Sequence, residues 1–299
     1  MELIFLGTSS AVPTKFRNHA SIALKAFGEI FLFDCGEGTQ RQMANIRLSP
    51  MKIKYIFISH FHGDHILGLP GLIQSMGFRG RTEPLYIFGP PGINDINDIL
   101  SKLKCSNMSF KIIIQELEEG YILDTKEYSI NCIKCEHNVI NYAYSIIEKK
   151  KPRFLKEKAI ELGVEPGPDF SRLHNGQEIM VNDNIIKPEQ VLGPPRKGIK
   201  ITYSGDTRPC NALIEFAKES TILIHESTFE DIDIDKAIDN AHSTASEAAN
   251  IAKKAKVKQL ILTHISARYS NTTNMQKSAK KIFNNVIIAN DYMVLEVNK

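Results

Sequence analysis

Short apolar runs separated by turn residues set the rhythm of the chain. Residues 2–6 are apolar and end in Gly7-Thr8-Ser9-Ser10, and residues 29–33 and 54–58 are rich in β-branched and aromatic side chains, so all three predict strands. Runs of the same kind follow at 85–88, 111–114, 200–203, 221–224 and 259–262. Helical periodicity occupies 38–47, 66–76, 211–218 and 244–256, between several of those runs. Strands and helices alternating in this way predict an α/β layered protein.

One segment breaks the rhythm. From 148 to 196 the chain turns rich in Lys and Pro, with Glu165-Pro166-Gly167-Pro168-Asp169 and Gly193-Pro194-Pro195 inside it. Lys149, Lys150, Lys151, Arg153, Lys156 and Lys158 stand against two acidic residues in 148–158. Taken alone, this segment reads as a solvated connector with one short helix at 154–162.

The 299 residues suffice for a large core, and 42% hydrophobic with 24% charged is the composition of an ordinary globular protein. A net charge of +3 is too small to argue for a nucleic-acid partner by itself. Five scattered cysteines (Cys35, Cys105, Cys132, Cys135, Cys210) do not form a disulfide framework. Nothing like a secretion signal precedes the first strand and no apolar run is long enough to span a bilayer, so a cytoplasmic protein without membrane attachment is expected.

Candidate chemistry concentrates in His60-Phe61-His62-Gly63-Asp64-His65. Three imidazoles and a carboxylate in one turn would crowd titratable groups at high cost unless something binds them. Imidazole nitrogen and carboxylate oxygen are the usual non-thiolate ligands of zinc. The run also lies between a strand and a helix, where sites form in open α/β sheets. Further ligands are on offer after other strands: His137 after the alternating segment Tyr128–Cys135, Asp206 in Ser204-Gly205-Asp206-Thr207, and His264 in Leu262-Thr263-His264. Each of these could instead be a surface or capping residue. If the strands share one edge, seven ligands converge, enough for two metals, with Asp206 able to bridge. Cys132 and Cys135 have knuckle-like spacing, but in a strand they point to opposite faces and read as packing residues.

This pattern resembles the metallo-β-lactamase superfamily. The resemblance implies a four-layer αβ/βα sandwich and two Zn²⁺ per chain. It puts one zinc on His60, His62 and His137, the other on Asp64, His65 and His264, and Asp206 between them. Such a site could hydrolyse a phosphodiester, a lactam, a thioester or a lactone.

Four features narrow the substrate. Pro13-Thr14-Lys15-Phe16-Arg17 offers two cations to phosphate. Asp34-Cys35-Gly36-Glu37-Gly38-Thr39-Gln40 is a glycine-rich turn into a helix. His242-Ser243-Thr244 precedes another helix, where Thr244 and Glu247 suit a capping box and His242 is left to donate a proton. Glu226, in His225-Glu226-Ser227-Thr228, could orient His242. The last is the basic segment. Together they resemble the short-form tRNA 3′-processing endonucleases, the tRNase Z or ribonuclease Z family, with Ser227 where Ala is usual in the His-Glu-Ala-Thr loop.

The family resemblance implies one catalytic domain over 1–299 and a protruding, flexible arm inserted at 148–196 as a tRNA-binding exosite, with Gly167-Pro168 as its Gly-Pro element. RNA contacts would then come from Lys15, Arg17, Lys149, Lys150, Lys151, Arg153, Gly167 and Pro168. Catalysis would fall to Asp64, His242 and Glu226. It also implies a homodimer that removes the 3′ trailer from precursor tRNA, leaving a 3′-hydroxyl on the tRNA and a 5′-phosphate on the trailer. The competing expectations are a hydrolase of a small phosphodiester, ester or lactone, and a catalytically silent RNA-binding relative.

Overall fold

The computed structural model describes residues 1–103 and 108–298, so Cys105 lies outside the described residues. Among those residues the chain builds two seven-stranded sheets. The first takes β1 (Glu2–Gly7), β2 (Ser21–Ala26), β3 (Glu29–Phe33), β4 (Ile53–Phe57), β5 (Leu85–Gly89) and β6 (Ile112–Glu116) side by side. The second starts with β7 (Gly120–Asp124), β8 (Tyr128–Cys135) and β9 (Asn141–Lys150). A separate hairpin, β10 (Ile179–Val181) with β11 (Asn184–Ile186), intervenes. The second sheet then continues outward from β9 through β12 (Arg196–Tyr203), β13 (Ile222–Glu226), β14 (Gln259–Thr263) and β15 (Val286–Ile288). Finally β16 (Val294–Glu296) returns to the first sheet and pairs antiparallel with β1, Leu3 opposite Leu295.

Strand alternation explains the layering. In β3, Phe31 and Phe33 face the other sheet, while Ile30 and Leu32 face helices on the outside. Both faces are buried, so the strand reads as a continuous apolar run. Between the sheets lies an aromatic layer: Phe57 has ring centroids 5.5 Å from Phe33, 5.3 Å from Phe88 and 5.3 Å from Tyr144. Outside the first sheet, the helix Leu69–Phe78 buries Leu69, Leu72, Ile73 and Met76. Outside the second, Ala245–Lys254 packs through Ala245, Ala248, Ala249, Ile251 and Ala252, beside Thr273–Ile282. This is the four-layer αβ/βα sandwich expected from the sequence.

Parallel strands place the site. β3 to β6 run parallel, as do β12 to β15. Asp34, His60, Asp206, Glu226 and His264 each sit at or just past the C-terminal end of one of these strands. Two glycines allow the turns there. Gly205 has φ 60°, and a Cβ on it would lie 2.3 Å from Asn141 Oδ1; one on Gly36 would lie 2.2 Å from the Asp64 carbonyl oxygen.

Residues 148–198 form a compact unit of their own. Besides the β10–β11 hairpin it holds the helices Lys156–Glu161, Pro168–His174 and Pro188–Val191. Ala159, Val164, Leu173, Ile179, Ile186 and Val191 make a small core, with Phe154 and Phe170 packed on it at 4.9 Å between ring centroids. A connector with one helix underestimates this segment, because helices of four to seven residues carry too few turns to show periodicity.

Candidate metal centre

Four of the five histidines of the cluster are oriented by the nitrogen that faces away from the centre. His65 donates Nδ1–H to Asp34 Oδ2 at 2.7 Å. Ser59 Oγ donates to the same oxygen at 2.8 Å and so accepts from His60 Nδ1–H at 3.0 Å. His137 donates Nδ1–H to the Ala241 carbonyl at 2.8 Å. His264 donates Nδ1–H to Thr228 Oγ1 at 2.9 Å, whose hydroxyl passes on to Glu226 Oε2 at 2.8 Å. Four imidazoles are thereby held in the tautomer that leaves Nε2 a free acceptor. His62 differs, presenting Nδ1, which lies 3.0 Å from His60 Nε2 and 3.4 Å from His137 Nε2.

The acceptor atoms form three overlapping groups, one of them joining Asp206 and His264 to His242. One ligand atom each from His60, His62, His137 and Asp206 lie within 4.8 Å of one another, and so do those of Asp64, His65 and His264. Asp206 Oδ2 stands 3.6 Å from His60 Nε2, 3.3 Å from His65 Nε2 and 3.4 Å from His264 Nε2. Asp206 Oδ1 is buried with no hydrogen-bond partner, which is costly for a carboxylate oxygen unless a cation meets it.

Electrostatics agree. Burial and neighbouring imidazoles hold His60 well below the usual histidine range, and burial also lowers His62 and His137, as suits neutral ligands. Burial works against a charged His65, yet Asp206 and Asp34 raise it well above that range, so the centre attracts positive charge. The lowered imidazoles of His60, His62 and His137, the buried carboxylates and the unpartnered Asp206 Oδ1 make a donor set that fits divalent metal ions.

Beside the cluster, His242 Nδ1 is 2.9 Å from Glu226 Oε1 and 3.9 Å from Asp206 Oδ2. Glu226 is buried and also accepts from the backbone N–H groups of Thr207, Ser243 and Thr228 at 3.0, 3.1 and 3.0 Å. Although burial opposes it, the charge and hydrogen bond of Glu226 push His242 up to about 9. Thr244 caps the following helix, and Glu247 closes the box.

The remaining predicted residues are more dispersed. Lys15 is exposed, with Nζ 5.6 Å from the Phe16 ring centroid. Arg17 is turned inward: Nη1 donates to Thr8 Oγ1 and the Ala289 carbonyl, both at 2.6 Å, and Nη2 donates to Asn290 Oδ1 at 2.9 Å. Within the unit 148–198, Lys150 pairs with Glu148 at 3.5 Å and Lys151 donates to Asn175 at 2.7 Å. Arg153 gives its carbonyl to Gly193 N–H at 2.8 Å, and Gly167-Pro168 opens the helix Pro168–His174. Cys132 lies in the layer between the sheets and Cys135 packs on the helix side, so the pair chelates nothing.

Sequence reasoning missed Asp34, Ser59 and Thr228 as residues that orient the histidines. Asp34 is a carboxylate just past a strand, a signal that an ordinary turn residue explains equally well. Thr228 and Ser59 carry no such signal, since lone hydroxyls are common at strand ends.

With this geometry stand the following similarities. The profile of the anti-Pycsar protein Apyc1 family matches residues 1–154. Ribonuclease Z of Methanothermobacter thermautotrophicus is 55% identical over 297 residues, spanning 99% of this chain and 97% of its own. Ribonuclease Z of Methanosarcina mazei is 46% identical over 299 residues, spanning 99% and 98%. Human short-form tRNase Z superposes with a TM-score of 0.75 at 26% identity over 100% of both chains.

Proposed function

The chain belongs to the ribonuclease Z family, and from that membership we propose a two-zinc endoribonuclease that removes the 3′ trailer of precursor tRNA. The observation that carries the metal chemistry is the convergence of five histidines and two carboxylates, one of which, Asp206, keeps a buried oxygen without a hydrogen-bond partner. His60, His62 and His137 would hold one ion, and Asp64, His65 and His264 the other, with Asp206 shared. Bound there, the ions would supply Lewis acidity for water activation and charge for the phosphate.

The residues then divide the proton work. Water attacks phosphorus in line and Asp64 accepts its proton. The bond from phosphorus to the tRNA 3′-oxygen breaks, and His242, held by Glu226, donates a proton to that oxygen. The tRNA keeps a 3′-hydroxyl and the trailer leaves with a 5′-phosphate. Lys15 meets phosphate from a loop that Arg17 braces from inside. The unit 148–198 binds the tRNA through Lys149, Lys150, Lys151, Arg153 and the Gly167-Pro168 turn. Family membership supports a cytoplasmic homodimer, and no helix among the described residues is long and apolar enough to cross a membrane.

The test is a labelled precursor tRNA with its 3′ ends mapped. Cleavage should vanish with chelator, return with zinc, and be abolished in Asp64→Ala while tRNA binding persists. Chelator-resistant cleavage, or hydrolysis of small diesters with no cleavage of the precursor, would overturn the reading.

A further inference from the structure

His242 sits just past the end of the helix Ile234–Asp239, its own N–H donating to the Ala237 carbonyl at 2.8 Å. The preceding residue, Ala241, has φ 55°, a conformation that a residue with a Cβ adopts only under constraint. The helix end supplies part of the constraint, Ala241 N–H donating to the Ile238 carbonyl at 3.1 Å, and further hydrogen bonds come from Arg208 and the loop it borders. Arg208 donates its backbone N–H to the Glu136 carbonyl at 2.7 Å. The adjoining His137 donates from its ring to the Ala241 carbonyl at 2.8 Å. Arg208 Nη1 donates to the carbonyl of His242 itself, closing the circuit. The same guanidinium engages Glu247 through both nitrogens, Nη1 to Oε2 at 2.9 Å and Nη2 to Oε1.

Capping of the helix Ala245–Lys254 does not explain this arrangement. Glu247 Oε2 already serves the cap by accepting from Thr244 N–H at 2.9 Å, as an unpaired carboxylate could. What the arginine adds is the bond to His242 and a fixed distance from that bond to the loops of His137 and Asp206. The pair with Glu247 is about four-fifths buried, at 21% exposure for each side chain, so its geometry is stiff. A planar fork engages the carboxylate through two nitrogens while it holds the carbonyl, a fixed geometry that a single ammonium nitrogen cannot reproduce.

We propose that Arg208 is a positioning residue for the proton-donating step: it sets the backbone of His242 so that the imidazole stands between Glu226 and Asp206. The proposal rests on His242 as proton donor, and the experiment separates the two. Single-turnover cleavage of precursor tRNA is measured for Arg208→Gln, Arg208→Lys, His242→Ala and the double variant Arg208→Gln/His242→Ala, with bound zinc and Tm for each. His242→Ala should lower the cleavage rate about 100-fold, the usual range for losing a general acid. Arg208→Gln should lower it about tenfold or more with KM within about twofold, and Arg208→Lys should recover only part of that loss. The double variant should be no slower than His242→Ala within about twofold, because the arginine acts through the imidazole. Additive losses would overturn the role of Arg208 while leaving His242 in place. Loss of zinc that accounts for the slower Arg208 variants would overturn it too. An unimpaired His242→Ala enzyme would remove both.

Discussion

At Asp34 the main chain turns left-handed, φ 56°, as β3 ends, and puts a carboxylate beneath the start of the His60 run. That carboxylate takes four donors: Ser59 N–H at 2.7 Å, Ser59 Oγ at 2.8 Å, His65 Nδ1 at 2.7 Å and Tyr203 OH at 2.6 Å. Two histidines of the cluster thus depend on one residue outside it. Asp34→Ala should weaken zinc binding about 10- to 100-fold in competition against a chromophoric chelator, and unchanged affinity would show the ligands to be self-supporting. A second prediction concerns pH. The Glu226 charge holds His242 up to about 9, so the donor keeps its proton below that value and loses it as pH rises through it. Glu226→Gln removes the charge, lets the value fall, and should move the alkaline limb of the cleavage rate to lower pH. A limb that stays in place would assign that ionisation to another group. His60 to His65 is legible from sequence because four ligand-type side chains in six residues have no cheap alternative. Asp34 is not, since one acidic residue before a glycine-rich turn reads as a turn residue.

Whole strands are easier to see than the residues that tune them. β3, β4, β5, β13 and β14 announce themselves because both faces are apolar, the mark of a strand packed between another sheet and helices. β9 is harder to see: Tyr142, Tyr144 and Ile146 face the other sheet, but its last residues are Glu148, Lys149 and Lys150. β15 and β16 are three residues each, too short for any period to emerge. The helix expected from residue 66 is broken by the chain itself, into Gly63–Ile66 and Leu69–Phe78, with Pro70 in the first turn of the second piece. The aromatic layer is where the two sheets grip each other and where the strand ends are fixed relative to one another. Phe57 is fully buried at its centre, so Phe57→Ala should cost about 3–5 kcal/mol in urea unfolding at constant m. A loss below about 1 kcal/mol would mean that neighbouring rings close the gap.

On the scale of the molecule, the unit 148–198 is the part whose purpose the body does not explain. Its core of six small and medium apolar side chains makes it a folded body in its own right. The sequence shows its charge plainly and hides its structure, because basic residues stand out in any window whereas five short elements do not. Replacing Lys149, Lys150 and Lys151 with Ala should weaken tRNA binding and shallow its dependence on log salt by about one to two. The full value for three phosphate contacts is not expected, because Lys150 and Lys151 already have partners in Glu148 and Asn175. An unchanged slope would take these lysines out of the RNA contact.

The ligands are spread from His60 to His264, and β1 closes against β16, at opposite ends of the chain. A protein made from its N-terminus onward therefore has the His60–His65 run long before it has Asp206, and both before His264. While it is still being made on the ribosome it holds only part of the set, and the edge of its first strand waits for its last. A chain so arranged cannot gather the whole cluster until its later strands have been made.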